Sequence, residues 1–600
     1  MDYKQQHDAF YAFINMLSEF GIFESDMTIL KRVITPSAPI VYWSMELYDK
    51  DENEIKGGGG LGVLAADTRR EAEALGVPFV IVTPFYPKES HQELNDFWQS
   101  ERLDSVKPSR NFKKREDTAI RTVVHSEVPL NVFTTTHGST EIITITEPNF
   151  GELYADTSGS YHRLYQEVAL GFGGYYALKA RGYKPAFMQM NEAPTVFAAL
   201  AYLDDLCSSG IIFDQAFETV RDMILYTNHT LVQAVEGEFS RQQFDHMVMP
   251  NIRSQEIKDW LYGMFNEWGM IKLSSLAIEL AATKSGVSQL HARVANFHDR
   301  HGNKVHFDAV TNGISRKWIL PEITEYYREL GILNADNLPT ADYKDNLQKL
   351  DIHRVRELKR QGRAFMHSEL ALRKDQYGNV VRIPDDAIIF DFKRRFAGYK
   401  RPEMVFSDPE RLAYILQNYN AHFLVTGKPH PGDDTMKHEL QDILYQVQNH
   451  PVLKERIHYI QDYDEDVGQA LAIGADCAIN VPVVGEEACG TSWMKDIANL
   501  KLLISTPDGG VADSTPIACL EVTGPDEAAS LYENLEIAAQ MLRDDERYRR
   551  ELIRELEAYI PVISGSRMIA QYLKLFLRME KLKPTPTYLP EPTHHKIDIN

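Results

Sequence analysis

The chain has 600 residues, 44% of them hydrophobic, and a formal net charge of −22. That length exceeds what one compact core supports, so two or more domains are expected; the charge disfavours nucleic acid as a partner and suits a neutral substrate. No apolar run is long enough to span a bilayer, Met1-Asp2-Tyr3-Lys4 lacks the basic flank and apolar core of a signal peptide, and Cys207, Cys477, Cys489 and Cys519 have neither metal-like nor disulfide-like spacing. The expectation is a cytoplasmic protein with no metal and no membrane partner.

Residues 1–30 read as a helical lead-in. Ile40-Val41-Tyr42-Trp43-Ser44-Met45-Glu46 is predicted as the first strand. Lys56-Gly57-Gly58-Gly59-Gly60-Leu61-Gly62 then runs into a helix that ends near Gly76, and Phe79-Val80-Ile81-Val82-Thr83 is the next strand. Strand, glycine-rich loop, helix, strand is the βαβ unit of an open α/β sheet. Glycine lets a backbone approach an anion there, although many such loops are only tight turns. Residues 85–150 are predicted as an inserted set of hairpins, and 161–179 as one helix. Asn191-Glu192, Tyr226-Thr227-Asn228-His229-Thr230 and Thr311-Asn312-Gly313-Ile314 each fall just past a strand, where open α/β sheets place their ligands. Residues 335–380 are charged and helical and read as a connection between halves. A second α/β pattern begins at Ala387-Ile388-Ile389-Phe390 and continues through residues 422–428, 457–460, 475–482 and 502–505. Amphipathic helices follow over 526–582, then an extended tail.

Two stretches of the second half carry the chemistry. Arg394-Arg395-Phe396-Ala397-Gly398-Tyr399-Lys400-Arg401 places four cations in eight residues after a strand. Arginine offers a planar fork to phosphate and lysine a point charge; the plainer reading is a solvated basic loop. Gly485-Glu486-Glu487-Ala488-Cys489-Gly490-Thr491-Ser492-Trp493-Met494-Lys495 is a small-residue loop leading into a helix near Gly490, with Lys495 about one turn in. Helix starts attract anions; the plainer reading is a strand–turn–helix with a surface lysine.

Both stretches resemble the α-glucan phosphorylases. Glu487, Ala488, Gly490, Thr491, Met494 and Lys495 match the segment Glu-Ala-Ser-Gly-Thr-x-x-Met-Lys, whose lysine holds pyridoxal 5′-phosphate (PLP) as a Schiff base, and Arg394 to Arg401 match the short-type Arg-Arg-Phe-Ala-x-Tyr-Lys-Arg. The resemblance implies the α/β GT-B architecture, two Rossmann-like domains around a central cleft. It divides the chain into a glucan- and phosphate-site domain (1–330), a PLP-binding domain (331–560), and a C-terminal helix returning to the first domain, with its tail (561–600). It implies cofactor contacts from Lys495, Lys400, Gly59, Gly60, Gly490 and Thr491. Substrate contacts fall to Glu487, Asn312, His229, Arg394, Arg395, Tyr399, Ala488 and Cys489, and catalytic roles to Arg395, Lys400 and His229. The implied reaction is reversible phosphorolysis of terminal α-1,4-linked glucose in an α-glucan or maltodextrin, with inorganic phosphate as co-substrate and α-glucose 1-phosphate as product, in a homodimer without nucleotide or phosphorylation control.

The match has departures. Cys489 stands for a serine, Ser492-Trp493 for a glycine-containing pair, and Leu500 for a glycine after Asn499; Asp496 is unusual beside the lysine, and Trp493 stands where it would obstruct or cap the cofactor pocket. Asn191-Glu192-Ala193-Pro194 lacks the histidine usual in that motif, on the acceptor side. Two other readings stay open on these grounds. One is a nucleotide-sugar glucosyltransferase of the glycogen-synthase kind, which would carry a second glutamate where Lys495 stands. The other is a non-catalytic glucan-binding relative.

Overall fold

The structure is a computed structural model that describes residues 3–17, 21–50, 55, 59–115, 117–123, 126–153, 156, 159–231 and 237–583. Lys56-Gly57-Gly58 and the expected tail from residue 584 onward lie outside the described residues. Two largely parallel sheets, covered by helices, organise the rest. In spatial order the first sheet runs Asp308–Ala309, Thr283–Gly286, Ile224–Asn228, Phe187–Asn191, Ile40–Trp43, Phe79–Pro84, Thr140–Thr146, Ser126–His137 and Lys113–Lys114. All but the last two of these are parallel. The chain enters in the middle at Ile40–Trp43, builds outward on one side, then crosses to the other at Phe187–Asn191. That reversal is a topological switch point, where strand ends splay and leave a crevice.

Side-chain alternation gives this sheet two cores, as a period of two requires. Val41 and Trp43 face one; Ile40 and Tyr42 face the other. The helix Gly565–Leu582 lies on the second core. Its Phe576 ring stacks on Phe187 at 4.7 Å, and Ser566 donates to Glu71 at 2.8 Å.

The second sheet is wholly parallel, in the order Ile457–Ile460, Ala421–Thr426, Ile388–Lys393, Cys477–Asn480, Leu502–Ser505, Leu520–Glu521. Counted along the chain this is 3-2-1-4-5-6, the doubly wound order, with its switch point between Ile388–Lys393 and Cys477–Asn480. Phe390 and Phe392 face a core on one side, Ile389 and Leu424 a core on the other. No helix among the described residues is long and apolar enough to cross a membrane.

Three local expectations need correction. Residues 85–150 are not only an insertion: Thr140–Thr146 is β-branched-rich and wholly buried, and joins the first sheet beside Phe79–Pro84, Phe79 opposite Thr140. The helix expected over 161–179 is interrupted by a π-helical turn at Ala169–Gly173, where a Cβ on Gly171 would fall 2.2 Å from Phe197 Cβ. The helix expected from Gly490 begins at Ser492, with Thr491 as its N-cap.

Candidate active site

At the switch point of the second sheet, Arg394 follows one strand and the loop ending in Glu487 follows its neighbour. The Glu487 carboxylate accepts a close charge-assisted bond from Arg394 and another from Lys400 Nζ at 2.9 Å. Its backbone N–H donates to Asp508 at 3.0 Å. Burial opposes ionisation here, but Arg394 and Lys400 outweigh it and hold the Glu487 carboxyl down to about 2. Glu487 is therefore an acceptor and counter-charge, not an acid. A Cβ on Gly490 would sit 2.0 Å from Glu487 Oε1 and 2.9 Å from Arg394 Nη2, so only glycine lets the backbone pass this pair. Arg394 Nη1 is buried with no partner among the described residues. Arg395 is exposed and makes no hydrogen bond or ion pair among them. Lys400 Nζ lies 4.8 Å from the centre of the Tyr399 ring. The basic loop is thus not a uniformly solvated face: two of its cations turn inward on one carboxylate, and one is left free.

Lys495 lies on the short helix Ser492–Ala498 and is buried. Its Nζ rests 3.3 Å from the centre of the Trp318 ring and has no hydrogen-bond partner among the described residues. Burial pushes the amine down to about 8. Trp318 is fixed from two sides. Its Nε1–H donates to Asp67 at 2.8 and 2.9 Å, and the Asn499 amide donates both to the Trp318 carbonyl at 2.7 Å and to the Lys495 carbonyl at 2.8 Å. Trp493, expected to obstruct or cap the cofactor pocket, does not lie over the lysine amine. Two helical positions apart put it about 200° round the axis, where it packs edge-on against Tyr559 at 5.1 Å.

The first half reaches the same loop with neutral groups. Asn312 donates to the Cys489 carbonyl at 3.0 Å, and its Oδ1 is buried without a partner among the described residues. Ser288 donates to the Ala488 carbonyl at 2.7 Å. Ala488 and Cys489 thus enter the site through backbone groups; burial pushes the Cys489 thiol well above its ordinary range, so it is not a nucleophile. Ser288 also caps the helix Gln289–Val294, whose His291 donates through Nε2 to Asn228 Oδ1 at 2.9 Å. His229 follows Asn228. Its backbone N–H donates to Glu192 at 2.7 Å and its Nε2–H to Asn191 Oδ1 at 3.1 Å. Burial, then the neighbouring His291, hold His229 down to about 3, so its ring is neutral with Nδ1 free to accept.

The glycine-rich loop is held from within the protein. Gly59 N–H donates to the buried Glu46 carboxylate, as does Gly62 N–H at 3.2 Å. A side chain of the protein's own already takes the anion position at this helix start. Gly60 is the exposed member, with open space where a Cβ would be.

The family described as carbohydrate phosphorylase matches residues 184–516. That span covers more than half the chain and holds every residue named above from Asn191 to Asp508. The chain belongs to the carbohydrate phosphorylase family. It is 25% identical over 587 residues to the maltodextrin phosphorylase of Thermococcus litoralis, covering 90% of this chain and 70% of that one. It is 26% identical over 616 residues to the glycogen phosphorylase of Mycobacterium tuberculosis, covering 89% and 70%. It is 27% identical over 524 residues to the glycogen phosphorylase of Aquifex aeolicus, covering 79% and 74%.

In this carbohydrate phosphorylase chain, sequence reasoning missed Trp318, Asp67, Asn499, Ser288, His291 and Glu46. Trp318 carried a usable signal, since it lies only four residues past Thr311-Asn312-Gly313-Ile314. Asp67 carried another: an aspartate in an otherwise apolar first two turns of a buried helix needs a partner. Ser288 and His291 carried none, because a serine cap and a lone histidine recur throughout any chain of this size.

Proposed function

We propose that this protein is an α-glucan phosphorylase: it transfers a terminal α-1,4-linked glucosyl unit reversibly to inorganic phosphate, giving α-glucose 1-phosphate with retention. The observation that carries the reading is the union of a buried, unpartnered lysine at the end of the Glu487–Lys495 segment with a cationic loop whose Arg395 is free and whose Arg394 keeps an unpartnered nitrogen. Family membership supports it. The glucosyltransferase alternative wants a carboxylate where Lys495 stands; the non-catalytic one, drawn from Cys489, Ser492-Trp493, Asp496 and Leu500, is not favoured by the phosphorylase relatives.

PLP fits these residues. Lys495 would hold its aldehyde, and Lys400 and Arg394, with the backbone around Gly490 and Thr491, would hold its phosphate. When bound, the group would supply a second phosphate able to relay a proton. Arg395 binds inorganic phosphate and steers it to the anomeric carbon. Glu487 accepts a sugar hydroxyl while balancing the cations that keep two anions close together. Asn312 and His229 present neutral groups to other hydroxyls, and Tyr399 walls the sugar site. The positioned cations stabilise the phosphate charge without a catalytic carboxylate pair. The same reading carries the GT-B architecture, the division at residues 330 and 560, a homodimer and a cytoplasmic setting.

The test is release of glucose 1-phosphate from maltodextrin by the full-length protein. Release that requires added phosphate is expected. Glucose transfer only from a nucleotide sugar, or no turnover of either donor, would overturn the reading.

A further inference from the structure

Directly after Lys495, Asp496 turns to a set of partners that the proposed chemistry does not use. Its Oδ1 accepts a close contact from Lys393 and one from Lys501 at 2.7 Å. Asp391 completes the square, accepting from Lys393 at 3.0 Å and from Lys501 at 2.5 Å. All four side chains are buried. Asp391 and Lys393 stand on the strand that leads into the cationic loop, Asp496 on the lysine helix, and Lys501 just before the next strand.

Stability alone does not account for such a square. Taking an ion out of water costs several kcal/mol, and a well-packed apolar replacement is often as stable. A second cost lies at Leu500, buried with φ +62°, a conformation that strains a bulky side chain by about 1 kcal/mol or more. That turn folds Lys501 back, so that its N–H meets the Asp496 carbonyl at 3.2 Å and its Nζ reaches the cluster. The Leu500 carbonyl is held by Tyr548 at 2.6 Å.

The charges that act on the Lys495 amine come from four elements: Asp67 on the helix Gly60–Ala74, Glu465 on the helix Glu465–Gly474, Lys393 on its strand, and Asp496 beside it. The first two are already answered, Asp67 by Arg70 at 3.6 Å and Glu465 by Lys317 at 2.7 Å and Arg70 at 3.4 Å. The cluster is the remaining charged assembly, joined to the lysine through the backbone.

We propose that the Asp391–Lys393–Asp496–Lys501 square is a positioning device for Lys495: it locks the lysine helix to the strand of the phosphate loop and sets the electrostatic field in which the amine meets the cofactor aldehyde. This rests on the PLP reading given above. Net neutrality of the square is the working feature. Removing one carboxylate leaves a surplus cation beside Lys495 and favours the free amine. Removing one cation leaves a surplus carboxylate and favours the ammonium.

The test uses the full-length protein, cleared of any bound aldehyde with hydroxylamine. Acetylation of Lys495 by trace acetic anhydride is followed against pH by mass spectrometry of its peptide. Asp496→Asn is expected to lower the midpoint by about one pH unit and Lys393→Met to raise it by about as much. The double variant Lys393→Met/Asp496→Asn, neutral again, is expected to return to the wild-type midpoint. Loosened packing would move both single variants the same way, toward an ordinary lysine. Shifts in one direction, or none, overturn the proposal. Melting curves identify folded variants; where a single variant does not fold, Asp391→Asn or Lys501→Met carries the same charge change. Failure of the PLP reading is distinct: wild-type protein that takes up no PLP, with the opposite midpoint shifts intact, leaves the square setting the lysine's charge in a site of other use.

Discussion

The two sheets share a switch point and differ in what they put there. At the first, the helix start that would receive an anion is closed by Glu46, and the groups at the strand ends, Asn191, His229 and Asn312, are neutral. At the second, Arg394 and Lys400 close on one carboxylate, Arg395 stays exposed beside them, and a buried lysine lies against Trp318 with no hydrogen-bond partner among the described residues. In the proposed reaction the same topology serves two ends: hydrogen bonds for an uncharged sugar on one side, charge for phosphates on the other. Chemistry diverged through the residues just past the strands, the part of an open α/β sheet that does not determine its fold.

The comparison breaks most sharply at the charged side. Lys495→Ala is expected to abolish covalent PLP and lower phosphorolysis by roughly a thousandfold or more, read from the near-UV spectrum and from glucose 1-phosphate release. Glu487→Gln leaves Arg394 and Lys400 without their counter-charge; a fall of about a hundredfold or more in kcat/KM is expected. His229→Asn, on the neutral side, is expected to cost about tenfold, mainly in KM for glucan. A His229 loss equal to that of Glu487 would undo the division of labour.

Acid separates the two switch-point sites, although His422 and His458 on the second sheet, also lowered by burial, add to the same upper limb. The folded-state values of His229 and His291 are lowered from 6.5 to about 3 and about 4, so the stability they contribute is complete above pH 6.5 and is lost as pH falls toward 4 and 3. Glu487 is lowered from 4.5 to about 2, so its contribution is complete above pH 4.5 and is lost only toward 2. Urea midpoints measured against pH are expected to decline first between pH 6.5 and 4, with that limb flattened in a His229→Asn/His291→Asn variant. A smaller effect is expected at the closed helix start. Glu46→Gln weakens the acceptor of the Gly59 and Gly62 amides and is expected to cost about 1–3 kcal/mol in urea unfolding. The smallest is Tyr548→Phe, which frees the Leu500 carbonyl at a cost of about 1 kcal/mol.

Much of the second half was legible in the sequence because its strands are short apolar runs, two of which lead into the functional stretches. Arg394, Lys400, Glu487 and Lys495 come from two separated segments, and the doubly wound order brings them to one seam. The first half was less legible. Thr140–Thr146 was hidden among hairpins, since β-branched residues mark any strand and not its place in a sheet. Gly59 alone did not reveal its Glu46 partner, because a glycine-rich helix start looks the same in sequence whether an outside anion or an internal carboxylate meets it. Asp496 looked like damage to a motif, and only the structure shows its two partners, Lys393 and Lys501, which Asp391 joins from the other side.

The most direct measurement is a peptide map of the purified protein after borohydride reduction. A pyridoxyl-phosphate adduct on Lys495, with the matching near-UV band, is the expected result. An unmodified Lys495 in protein that neither carries nor takes up PLP would contradict the proposed chemistry at its centre.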